Sequence, residues 1–301
     1  MNIYQPDSLP VVAPLVPSHV NEGATALRER FQEYGYLYLQ QGVTQEKCQS
    51  VLRQIVQCLA GHVEDGGSRA NPVLTGEPFY ETDPLWDEVY PRMQSLRDFH
   101  GFFHDEDVLD LMRLVVGDDV FVYPMKMARV ATPRKLGFET PPHQDAHSHQ
   151  GGPTMAGIWV ALHDVSEGMG RLKLLPGSHK QGVRRVFTAE GVGGVQCEIF
   201  SDETQWHVSD VKQGDVIIFH SCCVHAAEPN TSTEDVRISI DTRFSDYGAP
   251  VFVTNLEPHH GWRIEGLDWS RIYSGWDDAT LKYYWKHYPN LTSELQHRAG
   301  R

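Results

Sequence analysis

Apolar and polar positions along this chain follow two periods, a helical one in its first third and a strand-like one in its middle. After Thr44, the residues Cys48, Val51, Leu52, Ile55, Val56 and Leu59 recur at three- and four-residue spacing. That stripe is one face of an amphipathic helix, with Thr44 as its N-cap and Gly61 past its end. The same reading predicts helices over Ala24–Tyr34, ended near Gly35, and over Val108–Val116, closed by Gly117. Tyr36 to Leu39 reads as a strand. Residues 66–83, interrupted by glycine, proline and asparagine, read as a long loop.

From about Val120 the period shortens to two. Strands are predicted over Val120–Val130, Thr154–Asp164, Leu172–Leu175, Val183–Phe187, Gln205–Val208, Asp215–His220 and Asp235–Phe244, separated by turn residues. Many short strands with turn-rich connections imply an antiparallel barrel or a double-sheet jelly roll. The expected architecture is one mainly β domain with α elements. It has a helical part over about residues 20–117, a barrel core over about 118–250 and an aromatic-rich extension over 251–301. Glu257 to Tyr288, dense in Trp, Tyr and His, shows no strand period. It is either a lid over the barrel mouth or packing against the outer sheet, and packing is the simpler reading.

Composition narrows the function. No run of ~18 apolar residues is present, so no transmembrane helix is expected. The proline-rich segment Met1 to Pro17 lacks a basic start and an apolar core, and predicts no signal peptide. A net charge of −14 argues against a broad nucleic-acid or anionic-membrane surface. The five cysteines (Cys48, Cys58, Cys197, Cys222, Cys223) have no zinc-ribbon spacing and predict reduced thiols in a cytoplasmic protein.

Candidate chemistry centres on Pro141-Pro142-His143-Gln144-Asp145. On a strand, positions i and i+2 share a face, so His143 and Asp145 would present an imidazole and a carboxylate together. The apolar run Val216–Phe219 leads through His220 and Ser221-Cys222-Cys223-Val224 to His225, a third ligand where a strand end opens. Two histidines and one carboxylate on one face make the site of iron(II) oxygenases, and zinc hydrolases use similar donors. In a chain with sixteen histidines, His-x-Asp also arises by chance, and His220 competes with His225.

The next strand changes the balance. Val236, Ile238, Ile240 and Thr242 alternate with Arg237, Ser239, Asp241 and Arg243. If the polar face lines the barrel interior, Arg237 becomes a buried fork for a carboxylate near the metal. That pairing suits a 2-oxo acid chelating the ion, with Ser239 adding a hydrogen bond. A purely structural barrel explains such polar alternation poorly.

At these residues the chain resembles the phytanoyl-CoA dioxygenase family of 2-oxoglutarate- and iron(II)-dependent oxygenases. Tyr34-Gly35-Tyr36-Leu37-Tyr38-Leu39, His143-Gln144-Asp145, Leu175-Pro176-Gly177-Ser178-His179, the run Gly214–His225, Asn230 and Arg237-x-Ser239 follow that family's order over about residues 31–244. The resemblance implies a double-stranded β-helix and iron(II) on His143, Asp145 and His225. It further implies 2-oxoglutarate as cosubstrate and dioxygen consumed to give succinate, carbon dioxide and an oxidised small-molecule substrate. Hydroxylation is the expected outcome, with desaturation or ring formation open to the same chemistry. No catalytic side chain is expected beyond the metal ligands.

The implied cosubstrate contacts are Arg237, Ser239, Trp159, Met127 and Gln144. Alternation places Met125, Met127 and Arg129 inward. Arg129 faces either the substrate or cosubstrate, or solvent at a strand end. Arg129, His147, His149 and Arg243 form the candidate substrate set. Met169-Gly170 replaces the family's usual Asn-Gly. Asp145 stands where the family's halogenases carry a small residue, which argues against halogenation. A zinc hydrolase, or a metal-binding barrel without turnover, remains the alternative.

Overall fold

The computed structural model describes residues 11–67 and 71–293. Strands β1 (Val11–Ala13) and β2 (Pro17–Ser18) lead into helix α1 (Ala24–Tyr34), β3 (Tyr36–Leu39) and α2 (Gln45–Cys58). The pair β4 (Val63–Glu64) and β5 (Val73–Leu74) precedes helices α3 (Pro84–Gln94), α4 (Arg97–Gly101) and α5 (Glu106–Val116). Next come β6 (Val120–Ala131), the one-turn helix α6 (Asp145–Ser148), β7 (Ala156–Ala161) and β8 (Leu172–Leu174). They are followed by β9 (Val186–Thr188), β10 (Val195–Cys197), β11 (Gln205–His207), β12 (Val216–His220), β13 (His225–Ala227) and β14 (Arg237–Asp246). The tail holds β15 (Val251–Phe252), α7 (Trp269–Ile272) and β16 (Leu291–Thr292).

Two mixed sheets form the centre. One has six strands in the order β2-β3-β12-β7-β14-β6, and the other has four in the order β1-β11-β8-β13. Pairing is antiparallel except where β2 meets β3 and β1 meets β11. The six-stranded sheet separates two apolar clusters. Ile158 and Val160, Val216 and Ile218, and Ile238 and Ile240 point one way, into a core shared with the helices. Trp159, Ala161, Ile217 and Phe219 point the other way and pack with Leu174 of the second sheet. The period of two thus distributes side chains between two buried faces.

The helices form as their patterns require. Helix α2 buries Cys48, Val51, Leu52 and Ile55, and the Thr44 side chain accepts from the Lys47 amide. Each such buried aliphatic side chain contributes about 1.5–3 kcal/mol relative to exposure. Helix α1 ends at Gly35, whose φ is +77°. A Cβ there would lie 2.3 Å from His179 Nδ1, so backbone conformation and space both select glycine.

Several expectations need correction. Strand β7 is shorter than Thr154–Asp164. The expected strand Val183–Phe187 is displaced to β9, in a hairpin with the unforeseen β10. Within residues 66–83, the expected loop contains β5, paired with β4. The tail packs, as the simpler reading had it: Trp269, Ile272, Tyr273, Trp276, Trp285 and Tyr288 join the helical core. Trp276 Nε1 donates to Ser95 O at 2.8 Å.

Candidate metal centre

His143 follows two prolines and is held in extended backbone by paired amides. Its N–H donates to His225 O at 2.9 Å and the His225 N–H donates to His143 O at 3.1 Å. That bridge sets the two imidazoles side by side, with ring centroids 4.1 Å apart. His225 lies past the end of β12, as expected, and is the first residue of β13. Asp145 departs from expectation. It opens helix α6, with Gln144 as the last extended residue. The chain therefore turns between the two ligands, and Ala146 N–H donating to Ser221 O at 2.9 Å secures the turn. The carboxylate still reaches the imidazoles: one ligand atom from each of His143, Asp145 and His225 lies within 4.8 Å of the other two.

The donor set fits a divalent ion. His143 Nδ1 meets Pro141 O at 2.9 Å, and His225 Nδ1 meets Cys223 O at 3.0 Å. A carbonyl only accepts, so Nδ1 carries the proton in both rings and Nε2 keeps its lone pair for a metal. Burial pushes His143 down to about 3 and lowers His225 too, which leaves both imidazoles neutral. Burial alone would raise Asp145, but the Arg243 guanidinium holds its carboxyl well below the usual range. Arg243 Nη2 donates to Asp145 Oδ1 at 2.7 Å, and its Nε sits 2.6 Å from Oδ2 but out of line. Oδ2 therefore has no hydrogen-bond partner, and Oδ1 is the oxygen that lies 4.0 Å from His225 Nε2.

The floor beneath is Gly157 of β7, which lies in register between Phe219 and Arg243. A Cβ on Gly157 would fall 2.6 Å from the Phe219 ring and 3.0 Å from Asp145 Oδ2. Only hydrogen fits under the carboxylate.

The polar face of β14 turns toward this centre. Arg237 is 8% exposed and donates from Nη1 to Ser239 Oγ at 2.7 Å. Among the described residues no carboxylate lies within ion-pair distance of it, and its Nε has no partner. Burial, then the charge of Arg129, lower its pKa to about 10, so it remains a cation at neutral pH. A buried guanidinium without an acid is the arrangement expected of a site that receives one. Arg237 borders a cleft shared with Arg129, Thr140, Ala227 and Asn230.

Other candidates have different surroundings. Ser239 serves Arg237 directly. Trp159 and Met127 are buried in register with Asp241, on either side of it. His149 is buried, with Nε2 3.9 Å from Asp145 Oδ1 and Nδ1 2.8 Å from Asn255 Oδ1. His147 is half-buried one turn away.

Gln144 is not a cosubstrate contact. Its amide donates to Gly182 O and Cys222 O and accepts from Arg184 N, because alternation turns it away from its two ligand neighbours. Arg243 is not open to substrate, since it sits between Asp145 and Asp241. Arg129 lines the same cleft as Arg237 but is already paired with acids: its Nη1 is 2.7 Å from Glu81 Oε1 and its Nε 3.1 Å from Asp241 Oδ1.

Two residues of the site had been given no role. Asp241 links Arg129 and Arg243, and its place beside Arg243 on one strand face was the available sequence signal. Gly157 carried no sequence signal, because its necessity comes from what packs above it.

The sequence model of the phytanoyl-CoA dioxygenase family matches residues 31–239. A 1-deoxypentalenic acid 11-beta-hydroxylase of Streptomyces exfoliatus is 28% identical over 233 residues, covering 72% of this chain and 80% of the relative. A phytanoyl-CoA dioxygenase domain-containing protein 1 of Danio rerio is 24% identical, covering 68% of this chain and 84% of the relative. EvdO2 from Micromonospora carbonacea var. aurantiaca, complexed with 2-oxoglutarate, shares the fold at a TM-score of 0.52 and 17% identity, over 81% of this chain and 95% of its own. The epimerase SnoN, in complex with Fe3+, alpha ketoglutarate and nogalamycin RO, does so at 0.53 and 17%, over 77% and 86%. The family match spans the α1–β3 opening, both segments that carry the candidate ligands and Arg237, and the chain belongs to the phytanoyl-CoA dioxygenase family of iron- and 2-oxoglutarate-dependent oxygenases.

Proposed function

We propose that this chain uses iron(II), 2-oxoglutarate and dioxygen to hydroxylate an unactivated C–H bond of a small metabolite, releasing succinate and carbon dioxide. The observation that carries the reading is Arg237, a buried guanidinium without a carboxylate of its own. It stands on the strand that also holds Arg243 against the metal carboxylate. A hydrolase needs no such fork.

When bound, iron with 2-oxoglutarate supplies the oxidising chemistry. The protein supplies ligation, orientation and the exclusion of water. His143, Asp145 and His225 would hold the ion, with one ligand atom from each within 4.8 Å of the others. Arg243 keeps Asp145 ionised and fixes its angle. Arg237, steadied by Ser239, takes the distal carboxylate, while Met127 and Trp159 wall the site. His149 and His147 are the side chains nearest the substrate, with Arg129 and Arg243 acting through their ion pairs.

Hydroxylation is favoured because the Streptomyces exfoliatus relative is named a hydroxylase. Desaturation or ring closure would need only another placement of substrate. We also infer that the two sheets are the sides of a double-stranded β-helix in one domain, a reading supported by the cluster joining Trp159 and Ile217 to Leu174. All five cysteines are unpaired, which favours a reducing, cytoplasmic location.

The test needs no substrate. Anaerobic iron(II) protein should develop a weak visible absorption band on addition of 2-oxoglutarate. Admitting oxygen should bleach the band and yield succinate slowly, and zinc-loaded protein should do neither. No band at saturating 2-oxoglutarate would overturn the oxygenase reading in favour of a hydrolase or a metal-binding barrel.

A further inference from the structure

A second set of donors converges where the start of the tail meets the segment before α3. Glu81, His259 and His260 are buried, and each offers a ligand atom within 4.8 Å of the others. Arg129 Nη1 lies 2.7 Å from Glu81 Oε1, and His260 Nε2 lies 3.3 Å from Oε2. The second contact is poorly directed. Neither ring nitrogen of His260 has a hydrogen-bond partner, although the residue is only 8% exposed. Each orphaned nitrogen is costly to bury unless something further meets it.

His259 is the better anchored of the pair. Its Nδ1 is 2.5 Å from the Tyr90 hydroxyl, which also accepts from Gln94 Nε2 at 2.9 Å. In the tautomer where Nδ1–H donates to the hydroxyl oxygen, Nε2 keeps a lone pair; where the hydroxyl donates to Nδ1, Nε2 carries the proton that a bound ion would displace. Burial, then the neighbouring charges, push His259 well down and keep it neutral. Burial opposes ionisation of Glu81, but Arg129 and His260 bring it down to about 2.

The cluster repeats the make-up of the first centre: two imidazoles and one carboxylate, with an arginine behind the carboxylate. Arg243 backs Asp145 and Arg129 backs Glu81, and Asp241 joins the two arginines, its Oδ2 2.5 Å from Arg243 Nη1 and its Oδ1 3.1 Å from Arg129 Nε. A guanidinium on a ligand carboxylate's far side orients it and does not abolish metal binding. The tail already docks here through Arg263, which donates to Glu81 O at 2.8 Å.

We propose that Glu81, His259 and His260 bind a second divalent ion of the zinc class, which ties the tail to the segment before α3. Two imidazoles and a carboxylate suit zinc and its first-row neighbours. The ion completes the coordination of His260 and joins positions far apart in the chain.

Protein stripped with chelator, reloaded with zinc alone and dialysed is expected to retain two ions per chain by plasma mass spectrometry. His260→Ala and Glu81→Gln should each retain one, and His143→Ala should also retain one, at this second site. Zinc should still raise the melting temperature of His143→Ala, but not that of the His143→Ala, His260→Ala double variant. One ion per wild-type chain, lost in His143→Ala, overturns the proposal, and that stoichiometry is read without any variant of this cluster. One ion that survives His143→Ala but not His260→Ala would uphold this site and remove the first centre, so the two readings fail separately.

Discussion

Arg237 and Arg243 share a face of β14 and meet opposite conditions. Arg243 has a carboxylate on each side, whereas Arg237 has the Ser239 hydroxyl. Arg237→Leu is therefore expected to weaken 2-oxoglutarate binding by about 2–5 kcal/mol, from roughly 30-fold to several thousand-fold. Metal affinity should stay near wild type. Unfolding free energy should hold or rise, because an uncompensated buried charge is removed. Titration with 2-oxoglutarate and urea unfolding read the two effects; unchanged cosubstrate affinity would move the anchor to Arg129. Arg243→Met should behave in the reverse sense. Asp145 loses the partner that keeps it ionised and aimed, and cobalt(II) titration should show metal affinity about 10–100-fold weaker.

At the scale of elements, the centre depends on two short pieces that carry no strong propensity. Strand β7 brings Gly157 under Asp145, and helix α6 turns the chain so that Asp145 faces His225. Gly157→Ala should destabilise the fold by about 1–3 kcal/mol, as overpacking does. It should also weaken metal binding, since Phe219 and the Asp145 carboxylate both lie within 3.0 Å of the added carbon. Urea unfolding with and without cobalt(II) separates the two losses. A variant as stable as wild type, with unaltered metal affinity, would show that the floor yields. Helices α1, α2 and α5 were readable to within two residues, whereas α3 was not foreseen. Helix α6 was not, because the strand spacing of His143 and Asp145 is also compatible with a turn that starts between them.

The whole molecule carries buried bases whose protonation opposes folding. Burial pushes His100 down to about 3, and His163 and His220 down to about 4, from the ordinary 6.5. The unfolded chain takes up those protons first, so the stability these histidines contribute is complete above pH 6.5 and falls as pH drops toward 4. Each contributes a slope of about 1.4 kcal/mol per pH unit there. Lys126 is fully buried, its amine 3.0 Å from Tyr123 O, and burial lowers it to about 7 from 10.5. It adds a further rise in stability between pH 7 and 10.5. The urea midpoint is expected to fall on the acid side and climb on the alkaline side. Lys126→Met should flatten the alkaline climb and raise stability at neutral pH. A midpoint flat between pH 7 and 10.5 in wild type would show that the amine stays protonated in the fold.

By itself the sequence determined the bounds of α1, the buried stripe of α2, the polar alternation on β14 and the three residue types that a non-haem iron centre requires. These are local properties, set by repeats of 3.6 and 2 residues and by side-chain chemistry. Tertiary structure alone decided that Arg243 would serve Asp145, that Arg129 would be taken by Glu81 and Asp241, and that Gln144 would turn away from its neighbours. It alone set two tail histidines against Glu81. The arginine–carboxylate partners lie 48 to 112 residues apart and meet only through sheet register and the packing of the segment before α3. The physical reason is that a buried charge must find its counter-charge in space, and periodicity along the chain carries no record of which one that is.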